Sequence, residues 1–127
     1  MLGDHDTIPT LAVKDLQVAR DFYEGTLGFA PRDDAAEGVL YSAGSGAFLV
    51  YPSSFAGTNR ATAMSFQVSG TAFDAEVTAL RDAGVGFQTF DAPGIEWDDG
   101  VATFGGDMRG VWFEDPDGNI LNVETNA

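Results

Sequence analysis

The chain of 127 residues contains no cysteine, which removes disulfide staples, thiolate metal sites and a cysteine nucleophile together. Histidine is almost missing as well: His5 is its single occurrence, and no Ser-His-Asp pattern can be traced. Basic residues are scarce, with six Lys and Arg against twenty Asp and Glu, a formal net charge of −14. A field of that sign repels phosphate backbones and anionic lipids, so neither nucleic acid nor a membrane surface is an expected partner. The acids are scattered rather than blocked, which suits a solubilising surface. No apolar run approaches the roughly 20 residues of a membrane span, and there is no P-loop or dinucleotide fingerprint. The first residues lack the basic and apolar regions of a secretory signal, so a cytoplasmic location is expected.

What is present suits a globular fold. Hydrophobic residues make up 44% of the chain, and the length is enough to bury one proper core. Residues 7–13 mix β-branched and apolar side chains in a strand-like run. Asp15 follows at an N-cap position, and Leu16, Ala19, Phe22 or Tyr23 and Leu27 recur at helical spacing before Gly28. Strands are expected at 29–33, 38–42 and 47–51, with Gly44-Ser45-Gly46 as a turn. The order then begins again. Residues 63–68 alternate like a strand, Thr71 with Asp74 suggests a capping box, and Phe73, Val77 and Leu80 share a helical face that stops at Gly84. Residues 87–90, 101–104, 108–114 and 120–124 are the remaining strand candidates. LGF at 27–29 echoes VGF at 85–87, each just after a helix. The pattern is that of a duplicated strand–helix–three-strand unit.

The motifs VKDL and DFY…LGF in the first half, with FQV, DAGVGF and FEDPDGN in the second, resemble the vicinal oxygen chelate superfamily. That superfamily includes glyoxalase I, extradiol dioxygenases and the bleomycin- and fosfomycin-resistance proteins. The resemblance implies an α+β fold: two βαβββ modules, about 7–52 and 61–125, joined by a connector at 53–60. Together they would form a curled mixed sheet around a concave cleft. It also implies a homodimer that pairs modules across two chains.

In the metal-dependent members, the resemblance implies a divalent ion held by His or Glu side chains on strands of both halves. Counting from the motifs, those positions hold Ile8, Ala63 and Asn122, and the strand at 47–51 has neither acid nor histidine. Two of these side chains cannot coordinate, and the third offers a neutral carbonyl. Glu124, one pleat beyond Asn122, and His5, three residues before Ile8, are the substitutes within reach. No cofactor is expected, and a divalent metal would need such displaced ligands. Glu96 and Asp98 flank Trp97 and are the candidates for a carboxylate base raised by burial, or else belong to an exposed acidic turn.

Aromatic and soft residues are the stronger signal. Phe48, Tyr51, Met64, Trp97, Phe104, Met108 and Trp112 are the candidate lining of an apolar pocket. Tyr51, Ser65, Gln67, Arg109 and Asn122 are its candidate polar contacts. Strand alternation sends Trp112 and Phe113 to opposite faces, so part of this set must be core. Arg109 suits either an anionic ligand or a local acid. The expected function is a metal-free small-molecule binder that sequesters an apolar or aromatic ligand. The alternatives are an enzyme (a lyase, isomerase or dioxygenase) with displaced ligands or a carboxylate base, and a non-catalytic structural or regulatory module.

Overall fold

The computed structural model describes residues 1–35 and 37–125, which divide into two compact units. Unit 1 comprises Met1–Asn59 and Pro116–Asn119; unit 2 comprises Arg60–Asp115 and the chain from Ile120 onward.

Unit 1 contains β1 (Thr10–Val13), α1 (Leu16–Arg20), β2 (Pro31–Ala35), β3 (Gly38–Ala43) and β4 (Gly46–Pro52). Its mixed sheet runs in the order β1-β4-β3-β2, with β1 parallel to β4 and the other pairs antiparallel. The strand expected from residue 7 starts only at Thr10, and Ile8 lies outside it, 51% exposed. Pro9, without an N–H to donate, stands at that boundary. Asp15 caps α1 as expected, accepting from the backbone N–H of Gln17 at 2.9 Å and of Val18 at 3.2 Å. The helix then widens into a π-helical turn over Asp21–Thr26, closed by the Leu27 N–H donating to the Phe22 carbonyl at 2.9 Å. Tyr23 faces inward from that turn and packs against Tyr41 and Phe48, which are cross-strand partners on β3 and β4. Phe29 completes this aromatic core.

Unit 2 contains β5 (Thr62–Val68), α2 (Gly70–Asp82), β6 (Glu96–Asp98), β7 (Val101–Phe104), β8 (Met108–Glu114) and β9 (Ile120–Thr125). Its five-stranded sheet runs β5-β9-β8-β7-β6, with β5 parallel to β9 and every other pair antiparallel. The overall class is α+β, and neither sheet closes into a barrel.

Three expectations for unit 2 are corrected. The cap of α2 is Ser69, whose hydroxyl accepts from the Ala72 N–H at 3.2 Å; Thr71 bonds to Ser69, and Asp74 is engaged by Arg109. Residues 87–90 form no strand, although the Gln88 N–H donates to the Trp112 carbonyl at 2.8 Å. Residues 96–98, read as a possible acidic turn, are β6 itself, and only Asp99-Gly100 turns. Both turn residues have positive φ, 50° and 79°, as the two-residue hairpin loop that matches sheet twist requires.

α2 covers one face of the unit 2 sheet. Arg109 on β8 lies over the Phe73 ring at 4.7 Å and reaches Asp74 at 2.8 Å. Alternation puts Val111 and Phe113 beside it, and ladder register adds Leu121 and Val123 of β9, all four buried. The opposite face carries the site described next.

Candidate functional site

The face of the unit 2 sheet opposite α2 has a polar side and an aromatic side. On the polar side, β5 and β9 pair in parallel, so Ser65 stands beside Asn122 and Gln67 beside Glu124. The Ser65 hydroxyl donates to Asn122 Oδ1 or to Glu124 Oε1, the latter at 3.0 Å, and it has one proton for the two acceptors. Gln67 Nε2 donates to Ser65 Oγ at 2.8 Å and to Glu124 Oε1 at 2.9 Å. Asn122 is buried, and its Nδ2 donates to the Val111 carbonyl at 3.2 Å. Every group in this strip thus fixes another. Glu124, half-buried, is its one charge.

On the aromatic side, Trp97 of β6, Phe104 of β7 and Trp112 of β8 share the face because their strands are in register. Phe90, from the segment after α2, meets Trp112 at 5.0 Å and Trp97 at 5.1 Å between ring centroids, both edge-to-face. Trp97 and Trp112 lie 6.0 Å apart, and Phe104 and Trp112 6.1 Å. Gly110 makes this panel possible: a Cβ there would sit 3.3 Å from Phe104 and 3.4 Å from the Trp112 ring.

Beside the panel, Arg60, Ala61, Thr62, Gln88, Thr89, Phe90, Trp112 and Ile120 line an open groove of about 600 Å³. That is within the range of roughly 300–1,000 Å³ typical of small-molecule sites. A smaller hollow of about 320 Å³ shares Thr89 and Phe90 and is completed by Asp91 and Trp97.

The residues expected at a pocket separate cleanly. Ser65, Gln67, Asn122, Trp97, Phe104, Met108 and Trp112 come together on this face. Met64, in register with Leu121, is aligned with the α2-covered face, where Arg109 also lies. Arg109 takes the local-acid role. Phe48 is 1% exposed in the aromatic core of unit 1, packed against Tyr41. Tyr51 is also in unit 1, half-buried on β4. Glu96 and Asp98 are exposed and, by alternation, face away from Trp97, so they gain no burial against its ring. Phe90, Gln88, Thr89 and Arg60 join this site without having been candidates from the sequence. They come from irregular segments, where no periodicity marks which side chains turn inward.

A divalent ion of the family type does not fit these residues. Ile8 is a hydrocarbon outside β1, and Ala63 is a methyl group at the bulge between Thr62 and Met64. Both ends of the Asn122 amide are occupied by Ser65 and Val111. Glu124 is a lone carboxylate with two donors on one oxygen, and His5 is exposed in the N-terminal stretch of unit 1. Among the described residues no three His, Cys, Asp or Glu side chains are grouped as a metal would need.

The sequence model of the Glyoxalase/Bleomycin resistance protein/Dioxygenase superfamily matches residues 6–123. Among solved structures, lactoylglutathione lyase from Agrobacterium tumefaciens aligns with a TM-score of 0.73 at 15% identity, covering 96% of this chain and 93% of that one. A glyoxalase family protein from Enterococcus faecalis gives 0.71 at 17% identity, covering 98% and 99%. The fosfomycin resistance protein FosX from Mesorhizobium loti gives 0.68 at 14%, covering 98% and 93%. At these identities the likeness is one of fold. No curated protein matches the chain.

Proposed function

Because the chain belongs to the glyoxalase/bleomycin resistance protein/dioxygenase superfamily, we propose that it is a small-molecule binding protein that holds an aromatic or apolar ligand against the face of the unit 2 sheet opposite α2. The observation that carries this reading is the aromatic panel of Phe90, Trp97, Phe104 and Trp112 set beside a self-satisfied polar strip. An apolar surface with a few fixed polar groups at its margin is the usual composition of a ligand site. Ring faces supply contact area with little side-chain entropy to lose, and Ser65, Gln67 and Glu124 orient whatever polar group the ligand carries. Since the residues at the family's ligating positions do not suit a metal, the reading asks for none.

A second, enzymatic reading rests on Glu124. It is a half-buried carboxylate on the same face, and its Oε2 forms no hydrogen bond to other described residues. It is better placed as a proton acceptor for a bound molecule than the exposed Glu96 or Asp98. A homodimer is part of the proposal, to be checked by light scattering.

The principal test is calorimetric titration with neutral aromatic probes, 2-naphthol and indole. Saturable binding is expected for the native chain. Trp112→Leu should weaken it about tenfold or more, as loss of a central aromatic contact does. Phe55→Leu, at a 77%-exposed position in unit 1, should leave it unchanged. Absence of heat with every probe, or equal binding by Trp112→Leu, defeats the reading.

A further inference from the structure

The chain's arginines differ in one respect that bears on the groove beside Trp112. Arg20 is held by Glu24 and Asp34, Arg81 by Asp99, Arg109 by Asp74, and Arg32 by Ser42 and the Gly46 carbonyl. Arg60 lines the groove with Phe90 and Trp112, and it has no hydrogen bond or ion pair to any other described residue. With twenty acids in the chain, an arginine without an acidic partner among the described residues, in a groove that Phe90 and Trp112 also line, is a feature to explain. Its guanidinium is a planar fork of donors that matches a carboxylate, and the aromatic side chains of the same groove match a flat ring.

Building on the proposed aromatic-binding function, we infer that the groove selects a planar aromatic carboxylate: Arg60 forks the carboxylate, and Phe90 and Trp112 take the ring. The polar lining agrees with this. Thr62, Gln88 and Thr89 carry hydroxyl and amide groups that add no opposing charge. The net charge of −14 limits the ligand further. A singly charged anion meets less long-range repulsion on approach than a phosphate dianion, so one fork with one carboxylate suits the field.

The probes that separate these ideas are 2-naphthoate, its neutral counterpart 2-naphthamide, and the cation 2-naphthylmethylammonium, titrated calorimetrically into the full chain. Naphthoate is expected to bind most tightly. Arg60→Gln should weaken naphthoate about tenfold to a hundredfold, the scale of a charge-assisted hydrogen bond, while leaving naphthamide within about twofold. Arg60→Lys should restore only part of the loss, since an ammonium cannot present the fork. Arg60 is exposed, so these variants should keep the native melting temperature. If naphthamide or the cation binds as well as naphthoate, or if Arg60→Gln changes nothing, the anion preference is overturned and aromatic binding stands. If no naphthyl probe binds at all, both fail together.

Discussion

The Tyr41 hydroxyl is a buried polar group held by one partner. The side chain is fully buried in the unit 1 core, and the hydroxyl donates to Glu24 Oε2 at 2.8 Å, the oxygen that Arg20 Nε also holds at 2.7 Å. Burial, and then this hydrogen bond, raise the ionisation of Tyr41 well above the usual tyrosine range. A raised value favours the neutral phenol in the folded chain. Its contribution is therefore complete below the unfolded value of about 10 and is lost as pH climbs from there toward the folded value. Tyr41→Phe is expected to flatten the alkaline fall in stability measured by urea unfolding between about pH 9 and pH 11. A slope equal to the native one would show that other groups set it. Individual roles of this kind were partly legible: aromatic type alone could not separate Phe48, a core ring, from Trp112, a face ring. The distinction lies in which strand face each occupies, and one-residue uncertainty in strand position inverts it.

Elements were easier to read than faces where a local rule applied. Asp15 as a cap and Gly28 as a stop follow from side-chain and backbone chemistry that needs no tertiary partner, and both occur. The β6–β7 hairpin follows from an equally local rule, since Asp-Gly is the favoured loop for two-residue turns, but the neighbouring acids suggested an exposed turn instead. Gly100 pins this hairpin in two ways: φ is +79°, and a Cβ would lie 3.2 Å from Cβ of Phe87. Gly100→Ala should cost roughly 1–2 kcal/mol from the left-handed backbone alone, read as a lowered melting temperature. Because Trp97 is carried on β6, the same variant should also shift the tryptophan emission. A stable variant with native emission would remove the hairpin as the positioning element. The segment from 85 to 95 obeys no periodicity, which is why Phe90 and its neighbours could not be found in advance.

At the scale of the whole molecule, two of the motifs that carried the family resemblance meet. DPDGN lies late in the chain, yet Pro116–Asn119 belongs to unit 1. Asp117 Oδ1 accepts from the Lys14 N–H at 3.1 Å, and Asn119 Nδ2 donates to the Ala12 carbonyl at 2.9 Å. VKDL and DPDGN are therefore two sides of one junction, which explains why they are informative together. They report architecture, while the site depends on positions the motifs leave free. Asn119 is buried, so Asn119→Ala should cost about 1–3 kcal/mol by stranding the Ala12 carbonyl, seen as a lower urea midpoint; an unchanged midpoint would mean water replaces the amide. The same junction has a consequence in time. During synthesis, domains commonly fold as units from the first residues onward. Here the Ala12 carbonyl and the Lys14 amide must wait for partners made more than a hundred residues later. Unit 1 is thus completed only after most of unit 2 has been made.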